Sequence, residues 1–298
     1  MATVYNDAIF GQKVLQQLNT LLLPLKAFTL DISDELKGPG DRVSVPLYGN
    51  ITTTTFTQAT TVMEQTGGTV SAVTVTLDER FITPVDLTHQ QLLESSTTRF
   101  DRFTTQMAKS ISKTILQDIL SIVTTVNFGE MTTTLKSSSW ALAQLITARK
   151  AMKTAGVEDD MSLVTNLGIE AALLGDTTVP LWRNQMNGDV LESGRLPKVM
   201  GFDIYSSSVF PTNSISLNAF ACQPDAIAVA FRGIQEELPD AEYETVLPLV
   251  DDETGLSLLL TRHWSRAQGK WFINMHCLYG RSVAVTLGMK LFGTTTAD

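Results

Sequence analysis

The sequence predicts an α+β chain built around one very long helix. Three observations carry that expectation: an unbroken apolar stripe from Phe100 to Val126, a long threonine-rich stretch with alternating apolar residues before it, and mixed helix and strand signals followed by strand signals alone after it. With 298 residues, 43% hydrophobic and 18% charged, the chain can bury a sizeable core, as one elongated domain or two lobes. That composition excludes wholesale disorder. The densest apolar run, Leu21-Leu22-Leu23-Pro24-Leu25, is short and broken by proline, so no membrane span is expected. Asp7 stands where a secretory signal would carry basic residues, so no such signal is expected. Two cysteines, Cys222 and Cys277, cannot build a disulfide scaffold and fit synthesis in a reducing compartment.

Charge narrows the function classes. Twenty-two basic against 31 acidic residues leave a net charge of −9, which argues against a protein that grips nucleic acid. It does not exclude one that lies beside DNA without binding it tightly. Threonine makes up about one residue in eight, a composition suited to solvent-facing strands.

Taken in order, residues 4–23 read as a helix, with Val14, Leu15, Leu18, Leu21 and Leu22 at three- and four-residue steps and Pro24 ending the segment. Its apolar stripe must dock either on the chain's own core or on a neighbouring subunit. Residues 28–48 alternate as two strands around a Gly38-Pro39-Gly40-Asp41 turn. From Ile51 to Leu77 the chain is mostly Thr, Gln, Ser and Val with Gly67-Gly68 near the middle, a long hairpin with little to bury. Such a ribbon is marginal alone in water, so its length favours a place on another chain.

Thr83-Pro84-Val85-Asp86 has the form of a helix start, with a threonine cap, proline at the first position and an acid at the third. Phe100, Phe103, Met107, Ile111, Ile115, Ile119, Ile122 and Val126 then step by three or four, predicting a spine of some forty residues, roughly 60 Å long. Asn127-Phe128-Gly129 breaks it. Ser139 is expected to cap a helix carrying Leu142, Leu145, Ile146, Ala148 and Met152 up to Gly156. Met161–Thr165 reads as a strand, Asn166–Leu174 as a short helix, Leu181–Arg195 as a loop and Gly201–Tyr205 as a strand. From Tyr243 onward the signals are β: Glu244–Val250, Leu256–His263, Lys270–Tyr279 and Ser282–Phe292, an antiparallel meander whose last turn is Gly280-Arg281.

The search for chemistry finds no phosphate loop, dinucleotide fingerprint or nucleophile elbow. Gly38–Asp41 is followed by no helix that could hold a phosphate, and is a plain turn. His276-Cys277 with Cys222 lacks zinc-site spacing, and Cys277 is expected to face the core. His89 and His263 have no visible nucleophile to activate. The acidic clusters Glu158-Asp159-Asp160, Asp251-Asp252-Glu253 and Glu236 to Glu244 read as solvated turns and surface. No catalytic residue, cofactor-binding residue or metal ligand is assigned, and an enzyme is not expected.

The order of parts is itself a signal. An amphipathic arm, an extended ribbon, a long spine helix, an α/β lobe and a closing β meander resemble the major capsid proteins of tailed double-stranded DNA bacteriophages, the Hong Kong 97-type coat fold. Gly40-Asp41-Arg42-Val43-Ser44-Val45-Pro46 is similar to the stretch that leads into the extended loop of such coats. Gly201-Phe202-Asp203-Ile204-Tyr205 with Ser207 and Pro211, then Ala219–Arg232 and Leu278-Tyr279-Gly280-Arg281, are similar to their later segments.

The resemblance implies an N-terminal arm at 1–27 and a peripheral domain whose first part is 28–136, with the extended loop at 50–79 and the spine helix at 84–127. It further implies an axial domain at 137–235 and closing peripheral strands at 236–298. It implies self-assembly as pentamers and hexamers into an icosahedral shell around double-stranded DNA, in a bacterial host cytoplasm, with no cofactor and no membrane. A separate scaffolding protein, a portal and a decoration protein are the implied partners. Leu15, Leu18, Leu22, Phe56, Gly67, Gly68, Arg80, Glu94, Arg99 and Asp176 are the expected assembly contacts, from their places on the arm, loop, loop base, spine and lobe tip. No lysine lies between Lys37 and Lys109, so the lysine-to-asparagine weld of some relatives is not expected. The other readings are an encapsulin-like nanocompartment shell of the same fold, and a cytosolic α/β enzyme using His89, His263 or Asp251.

Overall fold

The computed structural model describes residues 7–31, 36–48, 70–88, 90, 97–132, 140–157, 160–175, 198–211, 217–234, 243–251, 255–286 and 290–293. The chain opens with helix α1 (Asp7–Leu21) and a 3₁₀ turn (Leu23–Ala27) that Pro24 enters. Phe10, Val14, Leu18 and Leu22 are buried, so the arm's stripe docks on the chain's own core. Asp7 begins the helix, where a negative charge is favoured, and takes Arg262 at 3.2 Å and the Thr245 hydroxyl at 3.0 Å.

Strands β1 (Thr29–Asp31), β2 (Leu36–Lys37), β3 (Arg42–Tyr48), β4 (Val70–Thr76) and β5 (Glu79–Thr88) follow. The last corrects the sequence reading: residues 84–88 are not helical. Phe81, Thr83, Val85 and Leu87 alternate inward while Ile82, Pro84 and Asp86 point out, and this two-residue period outweighs the cap-like Thr83-Pro84-Val85-Asp86. Among the described residues β5 pairs only with β13 (Lys270–Val283), and such an edge strand tolerates Pro84.

The described part of the spine is helix α2 (Thr97–Ser121), which stops before residue 127. Met107, Ile111, Ile115 and Ile119 are buried as the stripe requires, but Val126 is 91% exposed. The chain has already left the helix: Thr124 caps a separate turn, α3 (Thr125–Phe128), by accepting the Asn127 N–H, and Gly129 ends it at φ 70°. After β6 (Glu130–Thr132) comes α4 (Leu142–Thr154). Ala141, not Ser139, holds the cap position, and its N–H donates to Gln144 Oε1 at 2.9 Å; Ser139 lies outside the described residues. Strand β7 (Met161–Asn166), helix α5 (Leu167–Gly175) and strand β8 (Phe202–Ser207) match the expected alternation, and strand β9 (Leu217–Cys222) follows. The loop expected at 181–195 lies outside the described residues.

Beyond them run β10 (Ile227–Ile234), β11 (Thr245–Val250), β12 (Ser257–Ser265), the fourteen-residue β13 and β14 (Lys290–Gly293). The expected turn at Gly280-Arg281 is absent, because β13 continues through it and pairs with β10. Nor does the meander run to residue 292: β14 joins the other sheet, between β6 and β9.

Two large sheets result. In the seven-stranded one, β13 is central: β5 takes one edge over Lys270–Tyr279, while β12 and then β10 share the other; β11 lies beyond β12, and β1 and β2 pair with β10. The five-stranded sheet has the order β6-β14-β9-β7-β8. One large core holds α1, α2, the inner face of the seven-stranded sheet and one face of the other, through Val164, Phe220 and Cys222. A second core packs α4 and α5 on the opposite face, through Leu163, Ala219 and Ala221.

Candidate functional site

The features that stand out are surfaces, and they converge on β13. Register sorts its residues by face. Phe81, Leu87, Ile273, Met275, Cys277 and Tyr279 look into the large core, whereas Ile82, Phe272, His276, Leu278 and Gly280 look outward with Ala228 and Ala230 of β10.

The ribbon β3–β4 lies on one end of that outer face. Val43, Val45, Val75 and Leu77 pack against Ala228, Ala230 and Leu278, and all seven are buried. Small residues permit the approach. A Cβ on Gly280 would stand 2.1 Å from the Thr76 carbonyl oxygen and 2.9 Å from Val75, so this glycine serves clearance. At the ribbon's foot the Gly38–Asp41 turn forms as expected: the Gly38 N–H donates to Asp41 Oδ2 at 2.9 Å, and Gly40 has φ 88°. The other side of the ribbon, with Ser44, Pro46 and Thr74, is exposed.

Arg281, the next residue, faces the opposite way. Its guanidinium meets Glu79 of β5 at 3.1 Å and also Asp118 of the spine, whose carboxylate accepts the Tyr279 hydroxyl at 2.8 Å. Burial holds the Asp118 carboxyl above its ordinary range, against the pull of Tyr279 and Arg281. Burial, then the bond to Asp118, likewise raise the Tyr279 phenol. Successive residues of one strand therefore seat the ribbon on one face and clamp the spine on the other. A second pair, the buried Arg232 with Asp31 at 2.7 Å, ties β10 to β1.

Past the ribbon the outer face is exposed along its edge strands β5 and β11, while Leu259, Thr261 and His276 on the strands between them are buried. Ile82 is 51% exposed, Val246 46% and Val250 42%, with exposed Pro84 and Pro248 beside them on the same two strands. A sheet face of this apolar character is the mark of a contact surface.

Of the expected assembly residues, Leu18 and Leu22 are fully buried within the subunit and Leu15 packs against the same core. The alternative left open for the arm's stripe is thus settled in favour of its own core, and these leucines are not free for a neighbour. Arg80 lies half-buried on the outer face, opposite Leu278. Arg99 falls in the first turn of α2, with its side chain outside the description; Phe56, Gly67, Gly68, Glu94 and Asp176 lie outside the described residues. Gly280, Arg281 and Asp118 escaped sequence reasoning because their partners are distant in the chain. The one available signal was Gly280 inside a run of strand-forming residues.

Of the candidate chemical groups, His263 and His276 make contacts within the subunit, and His89 lies outside the described residues. His263 stacks on Phe272 at 5.4 Å with Tyr243 edge-on, and His276 shares a 2.9 Å hydrogen bond with Thr261. Cys277 faces the core as expected, and burial pushes its thiol up to about 12; Cys222 is raised by the same cause. Among the described residues no cluster of three or more His, Cys, Asp or Glu could hold a metal, and no helix is long and apolar enough to cross a membrane.

Comparison with known proteins follows the same line. No match is found among curated proteins by sequence. The capsid of the cyanophage P-SCSP1u superposes with a TM-score of 0.59 at 11% identity, over 93% of this chain and 89% of that one. The mature capsid of bacteriophage PhiM1 gives 0.55 at 9%, over 92% and 87%. A virus-like particle from Pyrococcus furiosus gives 0.53 at 12%, over 96% and 98%. These likenesses show the Hong Kong 97-type fold. The model of a family described as phage capsid protein matches residues 72–262, from the ribbon's second strand through β12. With well over half of its length matched, the chain belongs to the phage capsid protein family.

Proposed function

We propose that this chain is the major coat subunit of a tailed-phage virion, assembling with its own copies as pentamers and hexamers into an icosahedral shell around double-stranded DNA. The observation that supports this reading is the ribbon: its base is seated on the subunit, beside a sheet face whose edge strands expose Ile82, Val246 and Val250. In this reading the extended loop at 50–79 reaches a neighbour, the seven-stranded sheet with the spine forms the peripheral domain, and the five-stranded sheet with α4 and α5 forms the axial domain. The net charge of −9 suits a wall that must enclose DNA without condensing it. Assembly in the host cytoplasm, with a separate scaffolding protein, a portal and a decoration protein, belongs to the same reading. Subunits are held without a lysine-dependent weld, because residues 38–108 contain no lysine.

Sedimentation and negative-stain microscopy of the purified protein test the reading. Closed shells or capsomer rings are expected, with nucleic acid inside virions and monomeric bands on a denaturing gel. Deletion of residues 52–68 of the expected loop, which spares strand β4, is expected to leave a folded subunit that forms no shells, and normal assembly of that deletion would sink the proposal. Shells filled with protein cargo would favour a nanocompartment.

A further inference from the structure

A cleft of about 530 Å³ opens where the end of α1, the middle of α2 and the exit of β8 meet. Its floor is apolar, formed by Leu21, Leu23, Leu116, Ile204 and Val209; Leu21 is 36% exposed although it ends an otherwise well-docked helix. One bank carries Lys109 and Lys113, four residues apart on the exposed side of α2. Neither ammonium group pairs with a carboxylate among the described residues. The other bank offers Tyr205 and the serines 206 to 208, and one acid, Glu170, lines the cleft as well.

We propose that this cleft binds a short acidic, leucine-bearing peptide segment of another protein. The floor takes apolar side chains out of water and the lysine pair takes carboxylates. Two cations side by side, without a carboxylate partner among the described residues, are conspicuous in a chain of net charge −9, and charge complementarity of this kind sets partner choice more than raw affinity. The volume is in the range of a formed ligand site and accommodates a few side chains, not a folded domain. A nucleic-acid strand fits less well, because its phosphates gain nothing from Leu21 or Ile204; Glu170 opposes any anion alike and leaves the cleft's two lysines one net positive charge. The proposal does not depend on the shell reading, since it concerns a partner of the subunit and not the contact between copies.

The test uses the purified full chain and a fluorescein-labelled twelve-residue peptide repeating Leu-Glu-Glu, followed by fluorescence anisotropy. Saturable binding is expected, weakened about tenfold in the double variant Lys109→Glu/Lys113→Glu and severalfold on raising salt from 50 to 300 mM. Leu21→Ser is expected to weaken it about fivefold, with the salt dependence retained. A control peptide with lysine in place of glutamate is expected not to bind. Both variants sit at exposed positions, so unchanged melting temperatures show that the fold is intact. Absence of binding, equal binding of the lysine peptide, or preference for a single-stranded oligothymidine would each overturn the proposal. Loss of shell formation in the lysine double variant would do the same, by making the cleft a contact between copies. Failure of the peptide with normal shells would leave the coat reading standing.

Discussion

The two sheets of this subunit are finished to different degrees. In the five-stranded sheet, β9 is buried at every residue from Leu217 to Cys222 and β7 from Met161 to Thr165, without alternation. Helices α4 and α5 close one face and the large core closes the other. In the seven-stranded sheet, β5 and β11 alternate strongly, and beyond the ribbon base the outer face leaves side chains of these two edge strands exposed. A sheet closed on both faces serves folding. A sheet closed on one face and part of the other keeps surface in reserve, and the two should respond differently to mutation.

The largest loss of subunit stability is expected at the closed sheet. Phe220 is fully buried, with Phe128 at 5.0 Å and Phe28 at 6.4 Å between ring centres. Phe220→Ala is expected to cost about 3–5 kcal/mol in urea denaturation, and to lower soluble yield. A loss below about 1 kcal/mol would mean that this sheet is not the rigid half of the comparison.

At the partly covered sheet, Gly280→Ala drives a methyl group into the Thr76 carbonyl, and the ribbon or the strand must move. A cost of about 1–3 kcal/mol is expected. The more telling readout is faster cleavage of residues 36–77 in limited proteolysis, with strand β13 still protected. Unchanged cleavage would show that the ribbon is not seated through this glycine.

Asp118→Asn probes the clamp on the inner face, and its expected cost at neutral pH is below about 1 kcal/mol. The informative part is the pH dependence. Burial raises the Asp118 carboxyl, so the folded chain holds that proton more tightly than the unfolded chain. Its contribution to stability is therefore complete below the ordinary carboxyl value, about 4, and is lost as pH rises through the raised value. The native chain's stability relative to Asp118→Asn is expected to decline from about pH 4 towards neutrality. A flat difference in denaturation experiments across that range would place the carboxyl in water.

How legible all this was depended on the range of the interaction. Helix α1, the ribbon strands, the α/β alternation and the lower half of the spine follow from local periodicity and could be read directly. Residues 84–88 misled because Thr83-Pro84-Val85-Asp86 satisfies a short-range capping rule, while the alternation of Phe81, Thr83, Val85 and Leu87 that overrides it extends across the motif. Gly280-Arg281 misled because glycine in a strand signals either a turn or a close approach, and only the position of Thr76 decides which. The surfaces were less legible still. Arg281 finds Glu79 and Asp118 some 200 and 160 positions away, and no spacing rule spans that. Leu18 and Leu22 showed an apolar stripe, but whether its cover is internal is a property of the packing, and the packing made it internal.

The smallest effect on folding, and the sharpest separation of the two sheets, is expected at the exposed strip of apolar edge residues. Ile82→Asp and Val246→Asp place charge on side chains that are about half exposed already. Surface substitutions of this kind change stability by about 0.5 kcal/mol or less, so the double variant should unfold at nearly the native urea midpoint. If the strip is where a neighbouring subunit rests, two added carboxylates would be desolvated on assembly without partners, at a cost of several kcal/mol per contact. That exceeds what a shell of individually weak contacts can absorb, so sedimentation should show subunits or capsomers and no closed particles. A matched control, Ser44→Asp with Thr74→Asp on the exposed side of the ribbon base, adds the same charge next to the strip without altering its apolar surface. Shells from the double variant at native yield would mean that the apolar strip is an ordinary solvent face, and that assembly is carried by the ribbon beyond its base.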